Sequence, residues 1–142
     1  MPFLVNRRQI RIEWGDCDPV GCVFESRVFE QFDLSSWMLF QAALGVEPSA
    51  LAGAFDIIGI PLVDVRARFL APLKFGDTVE IQSSISEFRR SSFDVAHRFL
   101  RGTDLAVEGR ESRVWAAVNT DDPSRLVSRP IPAAVIERFK TP

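Results

Sequence analysis

The stretch that decides the fold is residues 26–45, SRVFEQFDLSSWMLFQAALG. Its apolar residues recur at spacings of three and four, at Val28, Phe29, Phe32, Trp37, Met38, Leu39, Phe40, Ala43 and Leu44. A helix that is apolar around most of its circumference is a buried helix. Ser26 is a suitable N-cap and Gly45 a suitable stop, because hydroxyl side chains and left-handed glycines satisfy the helix ends. The stretch therefore predicts one long buried helix.

Strand patterns lie on both sides of this helix. Apolar and polar residues alternate with period two, which is typical of half-buried strands, over about 9–14, 63–69, 79–85, 93–99 and in a last strand running to about 119. Turn sequences separate the later strands, at 71–77, 87–92 and 101–104. Tight turns imply antiparallel neighbours. Shorter helices are predicted over 48–54 and 132–140.

The order of these elements predicts the fold class. A strand, a long helix and four further strands fit an α+β arrangement, in which one antiparallel sheet of about five strands wraps around a central helix. The 142 residues correspond to a single domain, 1–142. A lone sheet leaves its edges open and much apolar surface uncovered. We therefore expect a homo-oligomer in which sheets pair edge to edge.

Composition excludes several classes of partner. The formal net charge is −2, so no overall positive field favours nucleic acid or an anionic membrane. No apolar run reaches the ~20 residues of a membrane span. The two cysteines, Cys17 and Cys22, follow a charged start unlike a signal peptide. Free thiols and a cytoplasmic location are therefore expected.

Two carboxylates, Asp16 and Asp18, lie in the loop from Gly15 to Glu25, directly ahead of the long helix. A carboxylate can act as a nucleophile or as a base toward water without a partner base. The helix start offers unpaired backbone N–H groups for a developing oxyanion. The loop is thus a candidate acyl-transfer site. The alternative is that both aspartates only stabilise the loop through Asx turns.

Few other residues suggest chemistry. His97 is the only histidine, and it shares a strand face with apolar residues, which favours a structural role. No cluster of metal ligands and no phosphate-binding glycine-rich loop is present, so neither a metal nor a cofactor is expected. Arg89 and Arg90 stand in a turn and suit phosphate recognition, although turn arginines are often only solvated. Strand arginines are further candidates, at Arg66, Arg68, Arg98, Arg110 and Arg113.

The loop sequence resembles the signature of a known family. The run is Ile12-Glu13-Trp14-Gly15-Asp16-Cys17-Asp18-Pro19-Val20-Gly21-Cys22-Val23, and it is similar to the loop of 4-hydroxybenzoyl-CoA thioesterases, which have the hot-dog fold. The resemblance continues through Gly59-Ile60-Pro61, through residues 87–93 and through Arg113-Val114-Trp115-Ala116. It thus extends over nearly the whole chain.

The resemblance implies a role for five residues. Asp18 matches the catalytic carboxylate, which attacks the thioester carbonyl or activates water. Glu25 matches the position at the helix start whose backbone N–H polarises that carbonyl. Asp33 matches an aspartate of the acyl pocket, while Arg89 and Arg90 match the basic pair that meets the CoA phosphates. In that family these groups come from different subunits of a tetramer built from dimers. Asp16 is expected to be a loop anchor.

The chain departs from the family at two places. It has Glu25-Ser26-Arg27-Val28 where the family has a tyrosine-rich run, and Ser91 where a third basic residue is usual. Three functions follow as hypotheses. The first is hydrolysis of a small acyl-CoA by Asp18, with 4-hydroxybenzoyl-like aromatic esters as candidates. The rivals are an enoyl-CoA hydratase, which would need His97 with a carboxylate, and a non-catalytic module that binds acyl-CoA.

Overall fold

Five antiparallel strands form the main sheet, in the order β1-β3-β4-β5-β2. The structure is a computed structural model that describes residues 3–141, so residues 1, 2 and 142 of the expected domain lie outside the described residues. The strands are β1 (Val5–Arg11), β2 (Leu62–Phe69), β3 (Thr78–Phe88), β4 (Ser92–Arg101) and β5 (Asp104–Val114). This arrangement confirms the expected α+β fold. The turns between β3 and β4 and between β4 and β5 are the predicted ones.

The predicted long helix is α1 (Glu25–Leu44), and it ends at Gly45, which has the left-handed φ of 72°. The expectation that Ser26 caps it is wrong. Phe24 is the N-cap, without any side-chain cap, and Ser26 is the second helical residue. The Phe24 N–H donates to the Asp16 carbonyl at 3.0 Å, so the preceding loop fixes the direction in which the chain enters the helix.

One face of the sheet packs against α1. On β3 the buried positions are Val79, Ile81, Ser83 and Ile85, and on β4 they include Val95, His97 and Phe99. From the helix, Phe32 and Leu39 are fully buried. The Phe32 ring stacks on the His97 ring, with centroids 4.7 Å apart and planes 17° apart. The side chains that alternate with the buried ones lie on the opposite, outer face of the sheet.

The first and last strands differ from the predictions. The first begins at Val5 and ends at Arg11 rather than continuing through Trp14, which lies in a short helical turn, Trp14–Asp16. The last is broken at Trp115. The Trp115 N–H donates to the Ser91 carbonyl at 2.9 Å, and its buried ring packs on Phe55, with centroids 5.9 Å apart. These contacts end the β5 pairing before the expected boundary near residue 119.

The remaining elements cover one end of the core. They are α2 (Pro48–Phe55), β6 (Ala116–Val118), β7 (Leu126–Ser128) and α3 (Ala133–Phe139). β6 pairs with β7 in a second, two-stranded sheet. Within residues 3–141 no single helix is long and apolar enough to span a membrane. The pair α1 and α2 meets that criterion together but is bent by 57°, and a buried core helix meets it as well.

Candidate active site

The loop ahead of α1 is held by its own main chain. The Asp16 side chain accepts a hydrogen bond from the Glu13 N–H at 3.0 Å, and the Asp16 carbonyl accepts from Phe24. Asp16 therefore acts as the expected loop anchor, although it bonds backward along the chain. Its carboxylate also lies 4.0 Å from the Arg27 guanidinium. These contacts place the following residues, 17–23, in a fixed position beside the helix start.

Asp18 presents a carboxylate that is only half engaged. Its Oδ1 accepts hydrogen bonds from the backbone N–H groups of Val20 at 2.9 Å and Cys22 at 3.1 Å. Its Oδ2 accepts none from any residue in the described part of the chain. The side chain is partly exposed. The geometry is an Asx-type turn, as the alternative interpretation proposed, but it leaves one oxygen free to react.

A cavity of about 300 Å³ lies against the end of the loop that contains Asp18. Cys22, whose N–H bonds to Asp18, lines it together with Glu25 and Val28 of α1, and Phe69 and Leu70 at the end of β2 line its other side. The side chain of Glu25 is exposed. As the first helical residue, Glu25 has a backbone N–H without an intrahelical acceptor. The positive end of the helix dipole adds to its effect on an oxyanion.

The two cysteines are free thiols. Burial, then the charges of Asp16 and Asp18, raise the pKa of the Cys17 thiol above its usual value. A thiol with a raised pKa carries little thiolate at neutral pH, and the thiolate is the nucleophile. Cys17 is therefore a poor candidate for a nucleophile.

Arg89 is engaged within the chain, whereas Arg90 is not. The Arg89 guanidinium donates to the buried Asp94 carboxylate at 2.6 and 3.2 Å, and also to Glu87 and Ser92. The hydrogen bonds from Arg89 lower the pKa of Asp94, although burial acts in the opposite direction. Arg90 is exposed, and its side chain has no partner among residues 3–141. Of the expected phosphate-binding pair, only Arg90 has a guanidinium that no group in the described part of the chain binds.

Asp33 lies on α1, about 12 Å along the helix axis from Glu25. Its carboxylate is 59% exposed and accepts a hydrogen bond from Arg113 Nη2 at 2.7 Å. Asp33 and Arg113 line a second cavity, of about 370 Å³. Within one chain the five expected residues therefore do not surround a single cavity. Glu25 lines the first cavity and Asp33 lines the second, further along the helix, whereas Asp18, Arg89 and Arg90 line neither.

Sequence reasoning missed a buried polar network between α1 and the sheet. Glu111 accepts from Ser36 and from Arg113 Nη2 at 2.8 Å, and it lies 2.8 Å from His97 Nε2. His97 Nδ1 lies 2.7 Å from the Ser83 hydroxyl. Burial raises the pKa of Glu111, but hydrogen bonds from His97 and Arg113 outweigh it and lower that pKa to about 2. The tautomer with hydrogen on Nε2 satisfies both ring nitrogens.

The network corrects one interpretation and weakens one rival. The sequence places Arg113 among the strand arginines that are further candidates for phosphate recognition, yet its side chain is 3% exposed and points to the core. Its position two residues beyond Glu111 and four beyond Gly109 on the inner face of β5 was the available signal. His97 and Glu111 do form a histidine–carboxylate pair of the kind that a hydratase needs. Their side chains are 0% and 1% exposed, so this pair is shielded from solvent.

Sheet, central helix and a half-free carboxylate ahead of that helix define a hot-dog protein with a site suited to acyl transfer. The Thioesterase-like superfamily matches residues 12–139. The 4-hydroxybenzoyl-CoA thioesterase of Pseudomonas sp. (strain CBS-3) is 33% identical over 135 residues, covering 91% of this chain and 93% of that protein. The chain belongs to the thioesterase-like superfamily and is a thioester hydrolase, as the sequence predicted.

Solved structures agree with this assignment. One is a mutant 4-hydroxybenzoyl-CoA thioesterase, with an aspartate replaced by asparagine, in complex with 4-hydroxybenzoyl-CoA. It has a TM-score of 0.86 and 31% identity, covering 96% of this chain and 99% of that chain. A gentisyl-coenzyme A thioesterase has a TM-score of 0.81 and 30% identity, covering 95% of this chain and 100% of that one. The hot-dog fold expected from the loop sequence is therefore confirmed.

Proposed function

We propose that the protein hydrolyses a small aromatic acyl-CoA, of the 4-hydroxybenzoyl type, to the free acid and CoA. The observation that carries this proposal is the Asp18 carboxylate in the loop that leads into α1: one oxygen is held by two N–H groups, and the other accepts no hydrogen bond from the described residues. Names of the relatives support the substrate class, because they act on 4-hydroxybenzoyl-CoA and gentisyl-CoA. No cofactor is needed for this reaction.

The proposed reaction requires only the Asp18 carboxylate, the backbone N–H of Glu25 and a water molecule. The free Oδ2 of Asp18 attacks the thioester carbon, or removes a proton from a water that does so, and CoA leaves as its thiolate. The backbone N–H of Glu25 donates to the carbonyl oxygen as negative charge develops there. One such donor contributes about 3–4 kcal/mol to the transition state in related acyl-transfer sites. In the nucleophilic route, water then cleaves the mixed anhydride and restores the Asp18 carboxylate.

Binding of the substrate is assigned to the other expected residues. Asp33 faces a cavity with an exposed carboxylate, which suits contact with a polar substituent of the acyl group. The Arg90 guanidinium, which has no side-chain partner among residues 3–141, is assigned to a CoA phosphate. Arg89 is assigned a smaller share, because its donors already bind Asp94, Glu87 and Ser92.

We further propose that this single thioesterase domain acts as a homo-oligomer, either a dimer or a tetramer of two dimers, in the cytoplasm. β1 and β2 are the edges of the sheet, and apolar side chains on and just beyond β2 are exposed, at Leu62, Val63, Phe69 and Leu70. Assembly would cover this surface. It would also allow Asp33 of one subunit to complete the site beside Asp18 of another. Light scattering at two protein concentrations tests the oligomeric state.

Thiol release from a panel of CoA esters tests the activity. The panel contains 4-hydroxybenzoyl-, benzoyl- and phenylacetyl-CoA and short aliphatic esters. We expect turnover by the wild type and a loss of at least 10³-fold in kcat for Asp18→Asn, in line with the removal of an acyl-transfer nucleophile or base. Asparagine keeps the carbonyl oxygen that accepts from Val20 and Cys22, so the loop and the melting temperature should persist.

Asp16→Asn is the matched control, because it makes the same chemical change two residues away in the loop anchor. It should retain most of the wild-type kcat. An Asp18→Asn protein with most of its activity would refute the assigned role of Asp18. A folded wild type that binds the esters without releasing thiol over hours would instead identify a binding module.

A further inference from the structure

Arg113 is a buried cation that joins three parts of the chain. Its Nη2 donates to Asp33 on α1 at 2.7 Å and to Glu111 on β5 at 2.8 Å. Its Nη1 donates to the Ile60 carbonyl, in the segment ahead of β2, at 2.9 Å. Glu111 is itself held by His97 and Ser36. The guanidinium is therefore fixed from the core side and has little freedom to move.

Asp33 is the one exposed group in this arrangement. The side chains of Arg113 and Glu111 are 3% and 1% exposed, whereas that of Asp33 is 59% exposed. A carboxylate on a helix surface normally samples several rotamers. A 2.7 Å charge-assisted hydrogen bond to an immobile guanidinium restricts Asp33 to one of them.

The cavity at this pair has the composition of a ring-binding site. It measures about 370 Å³ and is lined mainly by apolar groups, with two charges, by Asp33, Trp37, Ile58, Ile60, Leu62 and Arg113. Arg113 Nε is buried and has no hydrogen-bond partner among residues 3–141. A buried donor without a partner is uncommon in a folded protein. Nη1 and Nη2 of the guanidinium thus donate to protein groups, whereas Nε donates to none of the described residues.

We propose that Arg113 is a positioning residue for substrate selection. It holds the Asp33 carboxylate as a fixed hydrogen-bond acceptor, so that the site favours aromatic acyl groups that carry a hydroxyl over the same ring without one. This inference rests on the proposed thioesterase function. It adds that discrimination between the two kinds of ring depends on Arg113, which does not itself accept the hydrogen bond but holds Asp33, which does. A hydrogen bond from a hydroxyl to a charged acceptor accounts for about a tenfold to hundredfold preference.

The test compares two esters that differ by one hydroxyl. The ratio of kcat/KM for 4-hydroxybenzoyl-CoA to that for benzoyl-CoA is measured for the wild type, Arg113→Lys and Arg113→Met. We expect a wild-type ratio of about ten or more. Arg113→Met should bring the ratio near one, mainly through a higher KM for the hydroxylated ester. Arg113→Lys should give an intermediate ratio, because lysine keeps the charge but not the forked donors.

The ratio separates positioning from a general structural effect, because a loosened core would lower turnover of both esters alike. Should the Arg113 variants fail to fold, Asp33→Glu serves instead, because it changes an exposed side chain and keeps its charge. The extra methylene moves the carboxylate from the position that Arg113 holds, and this should lower the same ratio. An unchanged ratio in the folded variants would overturn the proposal while the thioesterase function stands, as would a wild-type ratio near one. No thiol release from any ester by the wild type would overturn both.

Discussion

Gly109→Ala is the substitution for which the structure gives the most definite expectation. Gly109 lies on the inner face of β5, where it pairs with His97 of β4 and Ala67 of β2. A Cβ built at this position would lie 2.3 and 2.4 Å from two carbons of the Phe32 ring and 2.8 Å from the Arg66 carbonyl oxygen. Favourable carbon contacts are about 3.5–4.0 Å. Glycine is therefore required here by space rather than by backbone conformation.

The destabilisation by Gly109→Ala depends on how far the neighbouring groups can move to accept the added Cβ. Overpacking a well-packed core usually costs about 1–3 kcal/mol. The upper end applies, because the Phe32 ring is stacked on His97 and the Arg66 carbonyl belongs to the sheet backbone. A decrease of about 3 kcal/mol in the free energy of unfolding corresponds to a fall of about 10 °C in melting temperature for a domain of this size. Thermal unfolding followed by circular dichroism measures it.

The control for this experiment is Gly53→Ala. Gly53 lies inside α2, and a Cβ there would meet nothing within 4 Å. Alanine should raise stability by about 0.5–1 kcal/mol at such a helical position. Phe32→Leu combined with Gly109→Ala should be less destabilising than the sum of the two single changes, since the smaller side chain relieves part of the clash. A Gly109→Ala protein that melts within about 2 °C of the wild type would refute the argument.

Three further predictions concern charged residues. The pKa of Glu111 is lowered from 4.5 to about 2, so its charge contributes about 3 kcal/mol of stability that is present above pH 4.5 and lost as the pH falls toward 2. Glu111→Gln removes one of the two carboxylates that bind Arg113, so it should lower the free energy of unfolding at pH 7. Urea unfolding at pH 7 and pH 3 should then show a smaller loss of stability on acidification than in the wild type; equal losses in both proteins would contradict this. Arg90→Ala should raise the KM for CoA esters without changing the melting temperature, and an unchanged KM would remove its phosphate role. Arg89→Ala should lower the melting temperature, because it leaves the buried Asp94 without its cation; equal melting curves would contradict that.

Local patterns in the sequence predicted most of the fold. The apolar repeat of α1, its stop at Gly45 and the alternation in β2, β3 and β4 each depend on neighbours close in sequence. The wrong boundaries depend on distant contacts. The N-cap is Phe24 rather than Ser26 because a hydrogen bond to Asp16 fixes the entry, and the last strand ends early because Trp115 bonds to Ser91. Contacts of this kind have no signature in local spacing.

The candidate site divides in the same way. Asp18 could be singled out because its loop has turn residues, two carboxylates and a helix start directly after it. The Glu111–Arg113 pair could not, because charged residues in a strand normally indicate the solvent face. Their burial follows from pairing across β4 and α1, where His97 and Ser36 provide partners. The one sequence signal for their burial is the even spacing of Glu111 and Arg113 from Val107, which places all three on the inner face of β5.

The way the Asp18 loop is built has a consequence for sequence variation and for protein engineering. The carboxylate is held by the main-chain N–H groups of residues 20 and 22, and any residue other than proline supplies that group. Gly21, with a φ of 92°, is the one position between them with a conformational requirement. The Val20 side chain is 86% exposed and takes no part in holding Asp18. A library that carries every residue except proline at positions 20 and 22 could therefore change the exposed side chain at 20 and the cavity wall at 22 while every member keeps the carboxylate in place.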